Sequence, residues 1–473
     1  MYTQLRESLS GASASLRWPV RVSPVVLYLG LTSLFTDVSS EMVSTVLPVY
    51  LVLYLQFSPL QFGILDGLYQ GVSALVRMAG GLAADRWGRH KEVAAGGYAL
   101  SAICKLGLLA AGGAWTALAG VVVADRIGKG IRTAPRDALI SLNSDPRDLG
   151  AAFGVHRALD TLGALLGPLL AFALLALVPG AFDVVFVVSF CVALVGLGVL
   201  VLFVEGRDPR PAGHAGNATG QLLLDSEPPP FARSADMERP TSLDREPRPD
   251  VTAARPIGPQ SREEPSRPAP SFGRAVRLIG APRYRTLVLA GTVLGLATIG
   301  DGFLYLGLQR RLRFGGELLP LLYVGTSVAY FALSVPVGRL ADRVGRARIF
   351  LGGYALLPLV YLTLLLPSPG LAMLFVCLAL FGAYYAATDG VLMALASSML
   401  PAELRGSGLA MLATGVSLAR LVGAVLFGAL WTWWSLEAAV LAFGATLLGT
   451  LAIFAMVFAR QHPGMSREPT APA

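Results

Sequence analysis

The sequence predicts an all-α membrane protein, with twelve transmembrane helices in two pseudo-symmetric six-helix bundles. Three observations carry this reading. Apolar runs of about 20 residues recur along the chain, each long enough to cross a hydrocarbon core of roughly 30 Å. Of the 473 residues, 54% are hydrophobic and 14% charged, with a mean hydropathy of +0.61; a soluble domain carries roughly 25% charged residues. A basic loop also occurs twice, as Gly81-Leu-Ala-Ala-Asp85-Arg86-Trp-Gly88-Arg89-His90-Lys91 and as Gly338-Arg-Leu-Ala-Asp342-Arg343-Val-Gly345-Arg346-Ala-Arg348. Each copy is followed by Gly-Gly-Tyr-Ala-Leu, at Gly96–Leu100 and Gly352–Leu356. Two such loops at the same place in two halves indicate duplication of a membrane unit.

Backbone groups at membrane depth must bond within their own segment, so the runs read as helices. They are continuous, where a barrel would alternate. The expected spans are 24–55, 59–81, 92–112, 115–140, 150–178, 182–204, 285–308, 318–338, 349–367, 371–398, 407–430 and 437–459. The expected domains are an N-terminal bundle over 1–205, a linker over 206–271 and a C-terminal bundle over 272–473. The linker is rich in Pro, Arg, Glu, Asp and Ser and poor in aliphatics, too little apolar surface to offset ordering entropy, so disorder is expected. The net charge of +8 is concentrated in short loops and in this linker. That pattern fits cytoplasmic loops, with both termini in the cytoplasm, and no nucleic-acid partner. Cys104, Cys191 and Cys377 all lie in apolar runs and suggest neither a disulfide framework nor a metal site.

Taken in order, the spans carry ionisable residues that are costly at depth and therefore point to function. In the first, Asp37 and Glu41 lie four apart on one helical face. Two carboxylates there, in low dielectric, are candidate proton carriers. Asp66 and Arg77 in the second span receive no role. In the fourth, Arg126, Lys129, Arg132 and Arg136 fall broadly on one side; Arg126 is the expected counter-ion of Asp37 and Glu41, and the series could attract an anion. In the fifth, His156 and Asp160 are one turn apart, and His titrates near physiological pH. Gly163, Gly167 and Pro168 suit close packing and a bend. In the second half Asp301, Asp389 and Arg420 are the deep charges, and Arg420 is expected to pair with one of the acids. Asp37 aligns with Asp301, Asp137 with Asp389 and Asp160 with Arg420. Arg310, Arg311 and Arg313, placed outside by this topology, are unexplained. No Gly-x-x-x-x-Gly-Lys-Ser/Thr loop is present for ATP, and nothing resembles a nucleophile–base pair or a metal centre. The chain is therefore expected to be neither an enzyme nor dependent on a cofactor.

The doubled loop resembles motif A of the major facilitator superfamily, across everything but the linker and the ends. The second copy fits fully; the first has His90 where Lys or Arg is usual. Arg126 with Gly130 resembles motif B. Gly163-x-x-x-Gly167-Pro168 resembles motif C of proton-coupled antiporters, without its trailing Gly pair. Pro48 resembles a first-span proline of drug–proton antiporters. The resemblance implies a monomeric secondary transporter in a bacterial inner membrane, working by alternating access. It would couple protons (Asp37, Glu41, His156, Asp160) to efflux of a small organic molecule bound in a central cavity (Arg126, Lys129, Asp301, Asp389, Arg420). The loops (Gly81, Asp85, Arg86, Gly88; Gly338, Asp342, Arg343, Gly345) would act as gating latches that stabilise the outward-open state, with Arg86 and Arg343 reaching acids or phosphates of the lipid bilayer. Uptake or exchange of an organic anion is the alternative within transport, and a non-transporting receptor or scaffold the alternative outside it.

Overall fold

The computed structural model describes residues 22–87, 89–145, 148–205, 280–366, 370–401 and 405–461, with side chains left out at 78–87, 405–407 and 459–461. The linker expected over 206–271 lies outside these residues. The described residues form one compact unit, helical throughout and without a strand among them.

In the first half, α1 (Pro24–Pro48) is followed by α2 (Pro59–Trp87), α3 (His90–Ala111), α4 (Trp115–Leu142), α5 (Leu149–Leu177) and α6 (Phe182–Phe203). The second half holds α7 (Pro282–Leu296), α8 (Asp301–Leu312), α9 (Leu319–Val344), α10 (Arg346–Leu365), α11 (Leu371–Met399), α12 (Arg405–Trp433) and α13 (Leu436–Gln461). Helices α7 and α8 are two pieces of the seventh span, so thirteen helices make twelve spans. Nine described helical segments are long and apolar enough to cross a membrane by length and composition alone. The three spans below that threshold are α1, α2 and α4, where acids, bases and hydroxyls dilute the apolar run.

The duplication shows in the packing. Helix α1 packs on α5 as α7 packs on α12. The α2·α4, α3·α4 and α3·α6 pairs recur as α9·α11, α10·α11 and α10·α13. The repeated Gly-Gly-Tyr-Ala-Leu has a physical cause. A Cβ on Gly97 would stand 2.7 Å from the Gly128 carbonyl oxygen of α4, and one on Gly353 would stand 2.7 Å from the Ala387 Cβ of α11. Only glycine lets these backbones approach so closely. The first glycine of each pair, Gly96 and Gly352, meets nothing within 4 Å.

Two irregularities shape the interior. Pro48 has no N–H to continue the helical ladder, and α1 widens there into a π segment, Val49–Tyr54. The seventh span, expected to be continuous, instead opens at Ala297–Gly300. Tyr361 of α10 satisfies the opened backbone: its hydroxyl accepts from the Ile299 N–H at 2.9 Å and donates to the Ala297 carbonyl at 3.2 Å. Irregular backbone is tolerated at this depth only where protein or a cavity supplies such partners.

The two halves approach closely away from the chain ends. Gly63, Gly67 and Gly71 of α2 lie against Ala424 and Leu421 of α12, and the Leu60 N–H donates to Thr432 Oγ1 at 2.9 Å. Phe62 of α2 meets Phe303 of α8 edge-on at 4.8 Å, and Phe303 continues to Phe427 and Trp431 of α12. Beyond this plug the unexplained Arg311 has a place. Its Nε donates to the last turn of α10 at Leu364 O, 2.8 Å away, and its Nη2 pairs with Glu437 of α13. Arg313 caps α8 in the left-handed region at φ 54°.

Candidate functional site

A cavity of about 410 Å³ lies between the halves, within the size range of small-molecule sites. Its charged lining is Glu41 of α1, Asp66 of α2, Lys129 of α4 and Asp301 of α8. Tyr69, Gln70, Tyr323 and Ser327 add polar groups, and Leu47, Leu51, Phe62 and Leu65 form an apolar wall. Pro168 lines it from α5, while Gly167 lets α5 close on α1: a Cβ there would stand 2.7 Å from Val38 O. Gly163 makes the same approach one turn earlier, at 2.5 Å from Leu34 O.

On α1 the polar residues Ser33, Asp37, Glu41 and Ser44 follow at helical spacing and share one face. Ser33 Oγ is 2.9 Å from His156 Nε2 of α5 and accepts from Arg136 Nη1 of α4 at 3.1 Å. Arg136 also reaches Asp137 at 3.0 Å and Asp160 at 3.8 Å, and Arg157 approaches Asp160 at 3.7 Å. The Asp37 and Asp160 carboxyls are electrostatic neighbours across the α1–α5 seam. Glu41, on the same face of α1 as Asp37, accepts from Ser44 Oγ at 2.7 Å and faces the cavity.

The row of bases on α4 divides. Arg126 is not bonded to Asp37 or Glu41 as expected. Its Nε donates to Asp125 at 2.9 Å, its Nη2 bonds the same carboxylate, and its guanidinium lies 3.6 Å from the Tyr69 ring centroid. The other Asp125 oxygen accepts from Lys105 Nζ of α3 at 2.7 Å. Lys105 is 3% exposed and Arg126 2%, so one carboxylate holds two buried cations. Arg132 lies over Tyr98 at 4.6 Å with its Nη1 unpartnered. Of the four bases only Lys129 lines the cavity.

In the second half Asp301 begins α8 just after the opened backbone and accepts from Tyr385 Oη at 2.5 Å. Asp66 comes to this place from the other half: its Oδ2 would be 3.0 Å from a Cβ on Gly300. Arg420 lies near Asp66, Asp301 and the tyrosines of α10 and α11. No ion pair forms between it and an acid among the described residues, and its Nε is buried without a hydrogen-bond partner. Asp389 is exposed on α11 and is not in the cavity lining.

The two loop motifs are described unequally. Gly81, Asp85 and Arg86 are in the last turns of α2, where side chains are not described, and Gly88 lies outside the described residues. In the second copy Asp342 accepts from Arg346, the first residue of α10, at 3.0 and 2.8 Å, and Gly345 bridges the helices at φ 110°. That angle favours glycine. Arg346 also reaches Ala394 O of α11 at 3.3 Å. Gly338 meets nothing within 4 Å, and Arg343 closes the last turn of α9.

Three features escaped the sequence reading. Lys105 was legible as a single ammonium inside the apolar run 92–112. The break at 297–300 was hinted at by Gly300 and Gly302 flanking Asp301. Asp66 gave no sign of its neighbour in space, since Asp301 is more than two hundred residues away.

Comparison with known proteins agrees with this architecture. The family model described as Major Facilitator Superfamily matches residues 29–319 and 287–473. An uncharacterised MFS-type transporter of Methanocaldococcus jannaschii is 26% identical over 418 residues, covering 87% of this chain and 89% of the relative. An uncharacterised protein of Mycobacterium tuberculosis is 32% identical over 152 residues, 32% of this chain and 37% of that one. Among solved structures, the nucleoside transporter NupG superposes with a TM-score of 0.64 at 14% identity, covering 92% of this chain and 99% of NupG. A POT family transporter in complex with 5-aminolevulinic acid superposes at 0.68 and 13%, covering 93% and 96%. At such identities the likeness shows the fold alone. With twelve spans in two related bundles and a family match along both halves, the chain belongs to the Major Facilitator Superfamily and is a membrane transporter of that kind.

Proposed function

We propose that this transporter couples protons to the movement of a small organic molecule by alternating access, the two bundles rocking about the cavity between them. The observation that carries the proposal is the Asp37–Asp160 pair across the α1–α5 seam. Two neighbouring carboxyls repel when both are ionised, and a proton on either one relieves the repulsion. Ser33, His156 and Arg136 connect the pair towards the chain ends. Glu41, one turn along α1, stands in the cavity wall. Protonation at the seam and occupancy of the cavity thereby act on one helix. Export is the proposed direction, from the Gly163-x-x-x-Gly167-Pro168 resemblance. The termini are proposed to be cytoplasmic in a bacterial inner membrane, with the chain working as a monomer. The Asp342–Arg346 contact supports a latch role for the second loop motif.

The engagement of Arg126, Arg132 and Arg136 by protein groups removes most of the support for a purely anionic substrate. The test is proton movement in proteoliposomes carrying a pH-sensitive dye, challenged with cationic, anionic and zwitterionic organic compounds. Substrate-triggered flux that is lost in both Asp37→Asn and Asp160→Asn, with binding retained, is the expected result. Unchanged flux in both variants and in the double variant would remove the pair from the mechanism.

A further inference from the structure

The cavity holds charges of both signs, and they differ in whether the protein already satisfies them. Glu41 accepts from Ser44 and Asp301 accepts from Tyr385. Lys129 and Asp66 also line the cavity, yet neither side chain makes a hydrogen bond or ion pair with another described residue. They are not each other's partner, since no ion pair joins the two side chains. Lys129 senses Asp37 and Glu41 of α1, with Arg126 and Arg132 of its own helix. Asp66 senses Asp301 of α8 and Arg420 of α12. An ammonium and a carboxylate left without protein partners in one cavity at membrane depth are costly unless something else completes them.

A singly charged ligand would complete one and leave the other bare. We infer that the transported molecule is a small zwitterion. Its acidic group is held by Lys129 on α4, its ammonium by Asp66 on α2, and its body lies against Leu47, Leu51, Phe62 and Leu65. The inference rests on the transport reading above, of which it names the substrate class. It also gives Asp66 a function: the ammonium end sits where α2 of one half meets the start of α8 in the other, so the ligand touches both halves at once.

The experiment uses the purified full chain in detergent and follows the shift of its unfolding midpoint with ligand, which rises with occupancy. The probes are straight-chain ω-amino acids of increasing length, each compared with the alkylamine and the alkanoate of the same length. The expected result is a maximum at one length of amino acid, with both singly charged analogues at least about 30-fold weaker, as for loss of one partner of a buried charge pair. Lys129→Gln and Asp66→Asn should each remove the preference. The exchange variant Lys129→Glu with Asp66→Lys should restore it, which guards against a simple folding defect. An alkylamine or alkanoate that binds as tightly as the best amino acid overturns the proposal, as does the lack of any shift across the series. Equilibrium binding needs no gradient, so zwitterion binding without proton flux would sink proton coupling and leave this inference standing. Flux driven by single-charge compounds alone would do the reverse.

Discussion

At the scale of single residues, burial and pairing decide more than position in the sequence. Asp125 and Arg126 are neighbours in the chain, and helical geometry does not normally bring such neighbours face to face. In a dry interior Arg126 nevertheless folds onto Asp125, and Lys105 approaches the same carboxylate from α3. The α1 face of Asp37 and Glu41 was legible from spacing alone. The partner of Asp37 was not, because which turn of α5 meets which turn of α1 is set by Gly163 and Gly167 at the seam. The buried triad yields a graded prediction. Asp125→Asn strands two cations and should cost about 3–5 kcal/mol. Lys105→Met leaves the Asp125–Arg126 bond in place and should cost about 2 kcal/mol. Thermal unfolding of the two variants in one detergent checks the order, and equal or reversed losses would show that Asp125 does not hold both.

Among the elements, hydropathy located the spans to within a few residues because lipid imposes length and internal bonding on every one of them. It could not locate the break in the seventh span. Thr298, Ile299 and Gly300 are neither charged nor strongly polar, and the opened backbone is held from a distance by Tyr361 of α10. The break places Asp301 at the start of a half-helix facing the cavity. Its stability should depend on that single hydroxyl. Tyr361→Phe keeps the ring and leaves the Ile299 N–H and the Ala297 carbonyl without this partner, at a cost of about 1–3 kcal/mol. Hydrogen exchange at Ile299 provides the direct readout. Faster exchange there, with unchanged protection in α3, is expected; unchanged exchange at Ile299 would mean that the hydroxyl is dispensable.

On the scale of the whole molecule, the duplication that was readable as two basic loops reappears as two sets of equivalent helix packings. The way the halves meet was not readable. It rests on glycines of α2 whose partners on α12 are more than three hundred residues away, and no local pattern announces them. Alternating access requires α2 and α12 to part, since rocking of one bundle against the other is what re-exposes a central site. Gly71 and Leu421 offer a way to prevent that: a Cβ on Gly71 would stand 3.3 Å from the Leu421 Cβ, close to the roughly 3.5–4.5 Å spanned by a disulfide. Cysteines at both positions, with the exposed Cys191 replaced by serine, should transport when reduced, stop when oxidised and recover on reduction. Activity in the reduced form shows that the substitutions are tolerated, so the loss on oxidation can be assigned to the link. A fully cross-linked chain that still transports at the reduced rate would mean that α2 and α12 stay together through the cycle, and that the cavity opens by a motion within one bundle.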